Sequence, residues 1–160
     1  QNQSHAIQQN SIPVIAHHQL REWVGSLSDI GTPKSKLMQI YNGQQSPWPH
    51  RIEFSCIKDE VWWKLPHEDS NDDDSADINE EYCFSNETQQ NVEERISAFK
   101  HWILQREEEN ILVVGHSRWF KQFVGASSKL NNCQMMKVVL CGMEVEHWEY
   151  IDFDKLTHVE

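Results

Sequence analysis

The sequence predicts an α/β fold, and three observations carry that expectation. An amphipathic helix pattern, a wholly apolar five-residue run and a second helix pattern follow one another between residues 86 and 124. Two strand-like runs joined at Cys141-Gly142 come next. Helix, buried strand, helix and then strands is the order expected when helices pack on a sheet. With 160 residues the chain is expected to form one domain over 1–160, with an acidic, flexible loop at about 67–82.

Residues 1–10 are polar and carry only a weak helical pattern. Ile12 to Ala16 (IPVIA) is short, apolar and rich in β-branched residues, as a buried strand requires. Residues 25–32 (GSLSDIGT) have loop chemistry. Thr32-Pro33 then starts a helix, with Thr as N-cap and Pro in the first turn, and Gly43 stops it. Residues 44–66 hold Trp48, Trp62 and Trp63 among three prolines and read as ordered but irregular.

Asn86 and Gln89 resemble a capping box. Beyond them Val92, Ile96, Phe99 and Ile103 recur at helical spacing, and the helix is expected to run to about Glu109. Ile111 to Gly115 (ILVVG) is the strongest strand signal and, being apolar throughout, is expected to be central in a covered sheet. Arg118 to Val124 is helical in pattern, and Val138 to Phe153 reads as strand, turn and strand. No internal repeat is visible.

Charge narrows the function. Fourteen Lys and Arg face 25 Asp and Glu, a net charge of −11, and eight of those acids lie between Glu68 and Glu81. Non-specific nucleic-acid binding needs a cationic footprint, and anionic membranes attract basic segments, so neither partner is expected. No apolar run reaches the roughly 20 residues that span a bilayer. Cys56, Cys83, Cys133 and Cys141 show no C-x-x-C spacing, which points to a reduced, cytoplasmic protein. Asp72-Asp73-Asp74 lacks the alternation of a calcium loop, and His17-His18 lacks neighbouring ligands, so no metal and no cofactor are expected.

The chemistry concentrates at Gly115-His116-Ser117-Arg118-Trp119. A residue between a strand end and a helix start meets free N–H groups, a favoured place for anions. One reading makes Ser117 the nucleophile of a G-x-S-x-G elbow, with Asp152 or Asp154 and His158 as partners, although Trp119 is bulky at the final position. The other makes His116 the active group. A His held there donates to phosphoryl oxygens.

On the second reading the chain resembles the histidine phosphatase (phosphoglycerate mutase-like) superfamily. The matching stretches are Leu20-Arg21-Glu22, Asp29-Ile30-Gly31, Asp59 to Trp63, Glu87-Thr88 through Arg95 and Phe99 to Trp102, Ile111 to Phe120, and Leu130 to Cys133. Their order and spacing cover nearly the whole chain. The resemblance implies a three-layer α/β/α sandwich, incomplete at its N-terminus. It also implies phosphomonoesterase or mutase-like phosphoryl transfer on a phosphorylated small molecule or phosphoprotein. Glu22 would protonate the leaving oxygen, and His116 with Ser117 would bind the phosphoryl group.

The family's nucleophilic histidine, in an R-H-G motif on the first strand, has no match in this sequence, nor does the arginine that follows it. The chain as given is therefore expected to be inactive, a fragment or pseudo-enzyme. Its alternatives are a phosphate-binding or protein-interaction module and a serine hydrolase using Ser117. Glu22 and His116 are expected to share one cleft beyond the ends of Ile12–Ala16 and Ile111–Gly115.

Overall fold

A computed structural model describes residues 12–25, 29–46, 48–63 and 87–152. Three α-helices and four strands lie among these residues, a mixed α/β content. They divide into two compact units, one of residues 12–18 and 31–63, the other of 19–30 and 87–152. The expected acidic loop at 67–82, Asn86 of the expected capping box, and the chain beyond Asp152 lie outside the described residues.

In the first unit, strand β1 (Val14–Ile15) pairs in parallel with β2 (Ile52–Glu53), Val14 opposite Ile52. The short strand is where the β-branched run predicts it, but its partner is not legible in an irregular, proline-bearing stretch. Helix α1 (Lys34–Asn42) begins one residue after Pro33, which itself occupies the N-cap without a side-chain capping bond. Gly43 ends it in extended conformation, its N–H donating to Gln39 O. Asn42 ties the helix end to β2, its side chain donating to Ile52 O at 2.7 Å and accepting from Ile52 N–H at 2.9 Å.

In the second unit, α2 (Gln89–Ile103) carries the stripe read from the sequence: Val92, Ile96 and Phe99 are buried. Its capping box is Thr88 with Asn91, not Asn86 with Gln89: Asn91 N–H donates to Thr88 Oγ1 at 3.2 Å, and Thr88 N–H to Asn91 Oδ1 at 3.0 Å. The helix also stops at Ile103, short of the expected Glu109. Three consecutive acids, Glu107 to Glu109, would oppose the negative end of the helix dipole, whereas Lys100 and His101 complement it in the observed last turn.

Helix α3 (Ser117–Val124) follows, closed by Gly125 at φ 67°. Strands β3 (Met136–Cys141) and β4 (Glu144–Tyr150) form an antiparallel hairpin, with Val138 opposite Trp148 and an irregularity between Val139 and Leu140. Gly142, at φ 56°, opens its two-residue turn, a place where glycine adopts positive φ without strain. Phe99, Trp119 and Phe123 form the centre of the core. Trp119 stacks on Phe123 with centroids 5.0 Å apart and meets Phe99 edge-on at 5.4 Å. Val138, Leu140, Val145 and Trp148 of the hairpin pack against this cluster.

The strongest strand signal is corrected. Ile111 to Gly115 pairs with no strand among the described residues. Val113 packs on the core, while Leu112 and Val114 are 77% and 80% exposed. Composition selects the extended, alternating conformation, but a strand exists only where a neighbour receives its N–H and C=O groups.

Candidate functional site

Glu22 and His116, 94 positions apart, are brought together: His116 Nδ1 stands 3.3 Å from Glu22 Oε2. Their side chains are 28% and 52% exposed, so the pair faces solvent. The other carboxylate oxygen of Glu22 accepts the Trp23 backbone N–H at 2.8 Å, which fixes the direction of the group. The pair does not arise as the sequence suggests, from two neighbouring strand ends, because residues 111–115 form no strand.

Glu22 is held in place by its neighbours in sequence. Arg21, Trp23 and Val24 are all tied to Glu87, which is 4% exposed. Arg21 Nη2 donates to Glu87 Oε1 at 2.8 Å, and Val24 N–H donates to Oε2 at 3.2 Å. Trp23 Nε1 donates to the Glu87 carbonyl at 2.8 Å, and Glu87 N–H to the Val24 carbonyl at 2.9 Å. Arg95, on α2, completes the anchor. Its Nη1 donates to the carbonyls of Gln19 at 2.6 Å and Arg21 at 3.2 Å, while its other nitrogens grip the Glu87 carboxylate.

Burial lowers the Arg21 guanidinium to about 10. The like charge of Arg95 acts in the same direction and the Glu87 carboxylate against it. It therefore remains charged at neutral pH.

His116 is the N-cap residue of α3, in extended conformation and without a side-chain capping bond. Gly115 sets its position. A Cβ there would lie 3.3 Å from Phe120 Cε2, a tight contact, and 3.6 Å from the Leu20 carbonyl, so this turn packs close to the residues that precede Glu22. Ser117 is the first residue of α3, where backbone N–H groups at a helix start are suited to anions. The Arg118 guanidinium lies 5.1 Å above the Trp23 ring.

For the Ser117 hydrolase, Asp152 is exposed, and Asp154 and His158 lie outside the described residues. Among the described residues, no cluster of three or more His, Cys, Asp or Glu is placed to hold a metal ion. No helix among them is long and apolar enough to cross a membrane.

The Arg21–Glu87–Arg95 cluster is the part of the site that sequence reading missed as a unit. One signal was present: Arg95 falls within the apolar stripe Val92, Ile96 and Phe99, where a charged residue implies a buried partner. In comparisons with protein-family models, curated proteins and solved structures, the chain matches none.

Proposed function

We propose that the chain binds a phosphoryl group at His116 and Ser117, with Glu22 beside it to protonate a leaving oxygen, in a histidine phosphatase-like phosphoryl-transfer domain of three-layer α/β/α type. The observation that carries this reading is the 3.3 Å approach of His116 Nδ1 to Glu22 Oε2. An imidazole donor beside a carboxyl group is what holding a phosphoryl oxygen and protonating a leaving alkoxide require. The N–H groups at the start of α3 supply further donors. The resemblance of the motifs in order, from Leu20 to Cys133, supports the same reading.

No group in the given chain takes the part of the R-H-G histidine, so no phosphohistidine forms on it. Binding without turnover follows. Titration of the full chain with inorganic phosphate, followed by ³¹P NMR, should show weak, salt-sensitive binding. His116→Ala should abolish it. Glu22→Gln, which removes a negative charge facing the anion, should strengthen it. Equal binding by the wild type and His116→Ala would overturn the proposal. Hydrolysis of an aryl phosphate that disappears in His116→Ala would overturn the absence of turnover.

A further inference from the structure

The core of the second unit is not filled. A cavity of about 180 Å³ lies beside α2, α3 and β3, lined mainly by apolar side chains that include Phe99, Ile103, Phe123, Val138 and Leu140. Leu112 and Met135 also border it, and both are exposed, so the cavity has a route to solvent. Trp119 forms another part of the wall. It is 1% exposed, yet its indole Nε1 has no hydrogen-bond partner among the described residues. A buried donor left without an acceptor is costly and unusual in a native core. Gln134, a polar residue on the same wall, already uses its Oε1 to accept the Asn131 N–H at 2.8 Å.

These features define a ligand chemistry. Apolar cavities of ~150 Å³ stay dry and admit a benzene ring. Charge would be expelled from such a lining, so the occupant must be neutral. We propose that this cavity binds a small, uncharged molecule of single-ring size carrying one acceptor oxygen, such as an aryl ketone or ester, whose oxygen accepts the Trp119 N–H. The site is separate from His116 and Glu22 and does not depend on phosphate binding.

Acetophenone and ethylbenzene form the test pair, since they match in size and differ in the acceptor. In ¹H–¹⁵N spectra of the full chain, acetophenone should move the Trp119 indole resonance, identified by its loss in Trp119→Phe. Ethylbenzene, which acts on that resonance only through ring current, should not reproduce the downfield shift of a hydrogen-bonded indole N–H and should bind about fivefold more weakly, the weight of one hydrogen bond. Trp119→Phe, which keeps an aromatic ring in the wall, should bind ethylbenzene at least as tightly as acetophenone, because the ketone oxygen is then buried without a donor. If that variant does not fold, the contrast between the two probes on the wild-type indole resonance decides. Absence of binding, equal affinity in the wild type, or a preference that survives in a folded Trp119→Phe would each overturn the proposal.

Discussion

Arg95 grips Glu87 at two points, Nε to Oε1 at 2.6 Å and Nη2 to Oε2 at 2.8 Å, with both side chains almost wholly removed from solvent. The contact joins the middle of α2 to the segment that presents Glu22, because Glu87 also receives Arg21, Trp23 and Val24. A buried charge pair contributes little when compared with a well-packed apolar pair of the same shape, but removing one partner strands the other. Here two guanidinium groups depend on a single carboxylate.

Glu87→Ala should therefore destabilise the second unit by about 3–5 kcal/mol. Urea unfolding followed by circular dichroism measures the change. A loss below ~1 kcal/mol would mean that water takes over the role of Glu87.

The exposed segment Ile111 to Gly115 should drive self-association. Leu112 and Val114 present apolar side chains to solvent on a stretch with no strand partner among the described residues. Sedimentation velocity should show association that grows with protein concentration, and Val114→Lys should suppress it. A sharp, concentration-independent transition from a monomer would contradict this expectation.

His17 makes the first unit sensitive to acid. Burial, and secondarily the neighbouring His18, lowers its pKa from 6.5 to about 4, and the two rings stack with centroids 5.5 Å apart. Its folded pKa lies below the unfolded one, so its contribution to stability is complete above pH 6.5 and is lost as pH falls toward 4. The melting temperature of the wild type should drop across that interval. His17→Gln, which has no proton to gain, should flatten the drop; an unchanged slope would show that other groups control it.

Gly31 makes space for two tryptophans. A Cβ at this position would lie 2.7 Å from Trp63 Cε3 and 2.8 Å from Trp62 Cζ2. Those rings meet edge-on at 5.7 Å, and Trp62 Nε1 donates to the Thr32 carbonyl at 2.9 Å. Gly31→Ala should cost roughly 1–3 kcal/mol through overpacking and shift tryptophan emission to the red as Trp63 is displaced. An unchanged emission maximum would show that the rings adjust in place.

Local signals were sufficient for much of the secondary structure. The spacing of Val92, Ile96 and Phe99 determines the buried face of α2, because residues three and four apart share one side of a helix. Gly125 and Gly142 end α3 and turn the hairpin at positive φ, a backbone property that no neighbour supplies. His116 before a helix start was legible for the same reason. The helix end at Ile103 was less so, since it depends on how the acids at 107–109 act on the dipole rather than on apolar spacing.

What only the tertiary structure decided are the relations between distant residues. The run Ile111 to Gly115 has every compositional mark of a central strand, yet strand formation is a property of two segments, and no described strand pairs with it. Glu22 is singled out in the sequence only by the resemblance that Leu20-Arg21-Glu22 carries. Its place beside His116, at 3.3 Å, follows from Glu87 and Arg95 fixing the backbone on either side of it. The unfilled space beside Trp119 is likewise invisible in one dimension: volumes add along a chain, but whether they meet is settled only when helix and hairpin pack together.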